Sequence, residues 1–241
     1  MKVRLITYTA SAESVVAVAA KLCYSDMSVD RIIAGISDED VASMIHRLIG
    51  SGHLSPLEHA NFTFAIEDVS RSMMAQITRH RVASFSVQSQ RYVTMENASM
   101  IVPPAILESE DALSLFNECS MLSLAAYKEL TAGLAKRYVQ DGMDVKAAQK
   151  KAQEDARFVL PNACATRMIV TMNARELRHF FSLRCCNRAQ WEIRQVADEM
   201  LRQVREVAPN LFEGAGPACV SEGKCSEGAM CCGHPRSKDG G

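Results

Sequence analysis

Between Val69 and Met95 the chain has no Asp, Glu or Lys, yet that run of 27 residues holds Arg71, Arg79, Arg81, Arg91 and His80. A solvated charged face mixes both signs and uses lysine freely. Arginine without lysine is the choice where a flat anion must be gripped by two prongs, because guanidinium presents a rigid fork of donors that matches phosphate or carboxylate. Ser84, Ser86 and Ser89, with the amides of Gln88 and Gln90, set neutral donors and acceptors beside that charge. The chemistry indicated is a cradle for a phosphate and a polar ring.

A second arginine-bearing stretch lies far away in sequence. No lysine occurs between Lys151 and Lys224, whereas Arg157, Arg167, Arg175, Arg178, Arg184, Arg188 and Arg194 do. Leu177, Phe180, Phe181 and Arg184 fall on one stripe of a helix. An arginine on an apolar stripe has to be paired or aimed at an anion, which singles out Arg184. Its neighbour Cys185 has two readings, a thiolate activated by the guanidinium or a packing residue, and packing is the commoner role of adjacent helical cysteines. His53, taken by itself, reads as a loop histidine. There is no glycine-rich dinucleotide fingerprint, no P-loop and no Gly-x-Ser-x-Gly element. Cys225, Cys231, Cys232 and His234 are able to bind zinc or an iron–sulfur cluster, but their spacing matches no pattern of recurring cysteine pairs. No metal is assigned.

The order Arg79-His80-Arg81, then seven residues, then Ser89 with Arg91-Tyr92 just beyond, resembles the signature of the flavin-dependent thymidylate synthases. The segment from Asn173 through Arg184, followed by Ala189-Gln190-Trp191-Glu192-Ile193, and the His53-Leu54-Ser55 loop are similar to that family as well. The resemblance implies an α+β fold, a single mixed α/β domain of that family's type over residues 1–217, assembled as a homotetramer whose active sites are shared between subunits. It implies FAD as cofactor, dUMP as substrate, and NADPH and 5,10-methylenetetrahydrofolate as co-substrates, with dTMP as product. Carried over by position, FAD falls to Ser55, Arg79, His80, Arg81, Val87, Asn173, Ala174, Arg175 and His179. The nucleotide falls to Gln76, Ile77, Thr78, Arg79, Val87, Gln88, Ser89, Gln90, Arg91, Arg157 and Arg184. Arg184 carries the catalytic role, favouring the uracil ionised at N3, and no cysteine nucleophile is used. Val87 stands where some relatives have Glu, and His179 and Arg188 where certain relatives have Asn and His.

The bulk numbers frame these motifs. The chain has 241 residues, a net charge of −1 and 6% aromatics, a poor match to a nucleic-acid-binding module, which needs net positive charge or exposed aromatics beside it. No run of 18 apolar residues exists and no signal-like apolar segment opens the sequence, so no membrane association and a cytoplasmic location are expected. Nine cysteines in such a chain do not imply a disulfide framework, and Cys23, Cys119 and Cys164 read as buried free thiols.

Periodicity predicts a strand at Val3, Leu5 and Thr7. It predicts helices over 11–24 (facing inward through Val15, Val16, Ala19, Leu22 and Cys23) and from a Ser37–Asp40 capping box to Gly50 and Gly52. A strand follows over 61–67. A helix capped by Ser70 then runs on through the central motif, so that Gln76, Arg79 and His80 share a face. Beyond an irregular stretch, a long helix spans 106–140 with a possible break at Gly133. An Asp144-capped helix, a strand over 165–173 and helices over 175–183 and 188–207 complete the reading. Residues 218–241, rich in Gly, Ser and Cys, are expected to be a loose tail.

Overall fold

The computed structural model describes residues 1–237. In chain order the main elements are β1 (Lys2–Tyr8), α1 (Ala12–Leu22), α2 (Val29–Ala34), α3 (Asp38–Ser51), β2 (Asn61–Ser70), α4 (Arg71–Ile77), β3 (Ala83–Val87), α5 (Pro104–Leu107), α6 (Glu110–Gln140), α7 (Val145–Ala156), β4 (Ala165–Asn173), α8 (Ala174–Arg184), α9 (Trp191–Val207), α10 (Pro209–Phe212) and α11 (Ala218–Ser221). The four strands pair in the order β1-β2-β4-β3. Helices and strands are mixed without a βαβ rhythm, so the class is α+β.

The chain divides into two compact units, each discontinuous in sequence. The first comprises Met1–Ile66, Gln76–Ser86 and the residues from Ile169 onward; the second comprises Glu67–Ala75 and Val87–Met168.

The first unit owns the larger core. Phe62, Phe64 and Ile66 of β2 alternate with exposed or half-buried residues and are fully buried, the pattern of a strand with one covered face. Phe212 meets Phe62 edge-on at 5.2 Å and Phe181 at 6.0 Å, geometries that aromatic quadrupoles favour. α9 buries Ile193, Val196, Ala197, Met200, Leu201 and Val204 along one stripe. It also covers the edge strand. Gln203 donates from Nε2 to the carbonyl of Val3 at 2.8 Å, and its Oε1 accepts from the amide of Leu5. That occupies backbone groups on which a sheet edge would otherwise pair with another chain. α3 starts as read, with both halves of the Ser37–Asp40 capping box formed, and stops at Gly52 in the left-handed region (φ 73°). In α1 the buried face is Ala12, Val16, Ala17 and Ala20, while Val15, Leu22 and Cys23 are exposed. The small residues, not the large ones, face inward there and let the helix approach closely.

The second unit is built on the antiparallel pair α6 and α7. Its compact core is Met95, Tyr127, Ala156 and Cys164, with Tyr127 Oη accepting from the amide of Met95 at 3.3 Å. α6 is 31 residues long and runs through Gly133 without interruption, because a helix side open to solvent leaves glycine only its entropic cost of about 1 kcal/mol. It begins at Ser109, whose hydroxyl accepts from the amide of Ala112, while Pro104–Leu107 forms a separate turn after Pro103. Of its residues only Ser120, Tyr127 and Thr131 are buried, whereas Leu115, Met121 and Leu122 are 61, 65 and 70% exposed. Cys119 on this helix is exposed; only Cys164 of the three expected buried thiols of this type is covered.

One element differs where it matters. α4 ends at Ile77, so Gln76, Arg79 and His80 do not share a helical face. The amides of Arg79 and His80 bond three residues back, to the carbonyls of Gln76 and Ile77, a tightening of the last turn that lets the chain reverse into β3. Of the segment 218–241, residues 238–241 lie outside the described residues; the rest makes specific contacts. Arg236 donates through Nη1 to Asp198 at 2.7 Å and to the carbonyl of Cys185 at 2.6 Å, Arg188 pairs with Glu227, and Asn187 donates to the carbonyl of His234. Charged pairing, which composition alone does not show, anchors it.

Candidate functional site

The first unit gathers most of the residues singled out by sequence. α8 starts because Asn173 caps it, its side-chain oxygen accepting from the amide of Glu176 at 2.8 Å. The entry is fixed further by the amide of Ala174, which donates to the carbonyl of Ala60 at 2.8 Å. From that start, Leu177, Phe180 and Phe181 turn into the core, and Asn173, Arg175, Glu176 and His179 are left lining a cavity of about 690 Å³ with Leu54 and Glu58. Ser55 opens the short 3-10 turn Ser55–His59 beside these residues and is exposed over the buried Pro56 and Leu57. Arg175 forms an ion pair with Glu58.

At the far end of α8, Arg184 is half-buried. Its Nε donates to Nε2 of His80 at 3.3 Å. The other ring nitrogen of His80 lies 3.1 Å from Glu176 Oε1. The imidazole is buried, with the ring of Phe180 edge-on at 4.9 Å and that of His179 at 6.2 Å. Burial holds the pKa of His80 below the ordinary histidine range; Arg184 and His179 push the same way, and the bond to Glu176 opposes them without prevailing. Arg184 loses some of its proton affinity to burial and then to the like charge of Arg79. Among the described residues it has no carboxylate partner. Arg79 and Arg81 are exposed and make no ion pair among the described residues. Three cations here are thus uncompensated.

The second unit holds the other arginines. Arg91 Nη2 lies 2.9 Å from the Glu154 carboxylate, and Arg157 Nε donates to the Glu154 carbonyl at 3.1 Å. Arg71, which sequence reasoning left without a role, donates through Nη2 to the carbonyl of Gln88 at 3.1 Å while its Nε is buried with no partner. Burial lowers its pKa, and the like charge of Arg157 pushes the same way. Gln88 is pinned from its other side, its amide donating to the carbonyl of Arg167 at 3.0 Å. The Ser89 hydroxyl accepts from the amide of Arg91 at 3.1 Å. Arg91 is paired with the Glu154 carboxylate, while Arg71 and Arg157, close enough to repel one another, bond only neutral acceptors, which leaves net positive charge suited to a phosphate.

Some candidates are not where a ligand can touch their side chains. Ile77 and Ala174 are fully buried, so only their backbones are available. Val87, half-buried at the end of β3, offers backbone and methyls. Cys185 is fully buried, and burial together with Asp198 drives its thiol pKa far up, so it is a packing residue, not a thiolate. Two residues were missed. Glu176 has a sequence signal, the third position after an Asn cap, which reads as a capping acid and conceals its contact with His80. Glu58 had none. Among the described residues no group of three or more His, Cys, Asp or Glu is placed to hold a metal, and no helix is long and apolar enough to cross a membrane.

An α+β scaffold that sets a Glu–His–Arg chain beside uncompensated arginines has the charge and donors suited to an anionic, planar ligand. Comparison with known proteins sharpens this. Residues 4–210 match the family model described as Thymidylate synthase complementing protein. The flavin-dependent thymidylate synthase of Clostridium tetani is 52% identical over 233 residues, covering 97% of this chain and 93% of that protein. Those of Geobacter sulfurreducens and Thermococcus kodakarensis are 46% and 39% identical, covering 97% and 95% of this chain and 94% and 91% of those proteins. The chain belongs to the thymidylate synthase complementing protein family.

Proposed function

We propose that the chain is a flavin-dependent thymidylate synthase, a methyltransferase that converts dUMP to dTMP with 5,10-methylenetetrahydrofolate as carbon donor, NADPH as reductant and FAD as cofactor. The observation that carries this reading is Arg184, a half-buried guanidinium held at Nε by a neutral imidazole and paired with no carboxylate among the described residues. A fixed cation beside a uracil stabilises the ring ionised at N3 and so raises electron density at C5. Preorganised charge of this kind is commonly worth about 3–4 kcal/mol. The near full-length likeness to synthases from three organisms supports the same assignment.

The residues present fit FAD. A cavity of about 690 Å³ lies within the range of cofactor sites, roughly 300–1,000 Å³. It is walled by Asn173, Arg175 and His179, with Ser55 adjacent, and Arg79 and Arg81 bring cations that a diphosphate requires. His80 has both nitrogens engaged, so its contribution to the flavin is ring edge or backbone; Ala174 and Val87 contribute backbone. Bound FAD, reduced by NADPH, supplies hydride chemistry that no side chain can.

Gln76, Thr78 and the backbone at Ile77 and Arg79 join Arg184 in holding the nucleotide. Within the second unit, the loop from Val87 through Gln88, Ser89 and Gln90 to Arg91, with Arg157, offers a phosphate site of its own. Cys185, buried and with its thiol pKa raised by burial, is not suited to attack the uracil. The active sites are completed across subunits of a homotetramer in the cytoplasm, and the exposed Leu115, Met121 and Leu122 of α6 supply apolar surface for assembly.

The test begins with an absorbance spectrum of the purified protein, where a flavin band is expected. Incubation with dUMP, NADPH and methylenetetrahydrofolate should then yield dTMP, with none formed when any one is omitted. A flavoprotein that oxidises NADPH yet forms no dTMP overturns the reading.

A further inference from the structure

We infer that Glu176 and His80 act together as a positioning pair for Arg184, fixing its guanidinium through a one-directional chain of hydrogen bonds. The inference rests on the proposed function for what Arg184 does to the substrate, and on geometry for how Arg184 is held. Glu176 Oε1 stands 3.1 Å from His80 Nδ1, and His80 Nε2 stands 3.3 Å from Arg184 Nε. An ionised carboxylate can only accept, and a guanidinium Nε can only donate. The imidazole between them must therefore donate at Nδ1 and accept at Nε2, a single neutral tautomer. A second proton would set an N–H against the N–H of Arg184.

The surroundings make that choice firm. Phe180 lies edge-on to the imidazole at 4.9 Å, and His80 is only 6% exposed, so the ring has no room to offer a nitrogen elsewhere. Glu176 is 9% exposed and is seated by the bond from its amide to the Asn173 cap. Holding Arg184 by Nε leaves its paired terminal nitrogens, which among the described residues bond to nothing in the chain, to face a ligand as a fork. Placing the carboxylate one ring away orients the guanidinium without pairing its charge, as outer partners of metal-bound histidines orient a ligand without replacing it. A direct Glu–Arg pair would orient equally well but would neutralise the cation. The charged and titratable groups facing the imidazole are Glu176, Arg184 and His179.

Glu176→Gln in the flavin-loaded enzyme tests this. Misplacing a reactive group by about 1 Å costs on the order of 100-fold, so kcat should fall roughly 10- to 100-fold while KM for dUMP and flavin content hold. The acid limb of the pH–rate profile should also move to lower pH, because the carboxylate that raises the proton affinity of His80 is gone; a residue that only props up the fold would not move it. Unchanged kcat overturns the inference, as does a loss in which KM and flavin content change together while the limb stays put. Nitrogen-15 shifts of His80 in the unaltered holoenzyme read the tautomer without any variant. A neutral ring protonated at Nδ1 supports the pair, and a proton on Nε2 or an imidazolium at neutral pH overturns it, even if Glu176→Gln fails to fold. Should Arg184→Ala retain turnover, the functional reading fails while the nitrogen measurement still judges the pair.

Discussion

Arg184 and Arg91 both lie in stretches that use arginine without lysine, yet their surroundings differ in kind. Arg91 meets the Glu154 carboxylate at 2.9 Å with both side chains about 40% exposed. Such a pair is worth about 0–1 kcal/mol and is easily exchanged for a phosphate. Arg184 meets a neutral, buried imidazole and keeps its full charge. Under the proposed function the two arginines would do distinct work: Arg91 would capture an anion by swapping partners, whereas Arg184 would hold its charge for an anion that forms only during reaction.

The sharpest way to break that contrast is to delete each side chain. Arg184→Ala should lower kcat by about 100- to 1,000-fold, the scale for one preorganised charge donor, with the flavin band retained. Arg91→Ala should act chiefly on KM for dUMP, because binding lost equally in ground and transition states leaves kcat alone. Steady-state kinetics with dUMP varied decides it. Equal losses of kcat in the two variants would erase the distinction.

The cores of the two units offer a second contrast. Phe181 of the first unit is fully buried against Phe180 and Phe212, so Phe181→Ala should cost about 3–5 kcal/mol. Leu122 of the second unit is 70% exposed. Leu122→Ala should change subunit stability by no more than about 0.5 kcal/mol while weakening assembly. Urea denaturation and analytical ultracentrifugation separate these. An α6 variant that destabilises the subunit as much as Phe181→Ala would mean that α6 is not an assembly face.

Acid provides a third probe. His80 is held neutral in the folded chain, its pKa lowered first by burial, whereas in the unfolded chain it titrates near 6.5. As pH falls below that value the unfolded chain takes up a proton that the folded chain resists, so stability declines until the folded pKa is also passed. The urea midpoint of the wild-type protein should drop across that window, and His80→Gln should remove this contribution. An identical slope in both would place the titration elsewhere.

Much of this was legible in sequence wherever the signal was local. The Ser37–Asp40 box, the alternation of Phe62, Phe64 and Ile66, and the cap at Asp144, which accepts from the amides of Lys146 and Ala147, each depend on neighbours within four residues. What was not legible depended on distant partners. The helix through Arg79 was stopped at Ile77 by the need to reverse into β3, which no local propensity announces. The bond between Glu176 and His80 spans 96 residues, and in sequence Glu176 is only a well-placed capping acid. The contacts of the tail, Arg236 with Asp198 and Arg188 with Glu227, also join residues far apart in sequence.

The smallest effect belongs to the residues next to the most important one. Cys185 follows Arg184 directly, and a thiol beside a guanidinium is the usual setting of a reactive thiolate. Here the side chain points the other way, fully buried, with burial and then the Asp198 carboxylate holding its proton on. Position on the helix decides the matter, since adjacent residues on a helix face directions about 100° apart (3.6 residues per turn), so Arg184 and Cys185 cannot share an environment. Replacing Cys185 and Cys186 together by Ala should leave kcat within about twofold, an activation-energy change under roughly 0.5 kcal/mol. The lost sulfur of Cys185 should appear only as a modest fall in the urea midpoint, about 1 kcal/mol for a small vacated volume. A folded, flavin-loaded double variant without turnover would return the thiol to the mechanism.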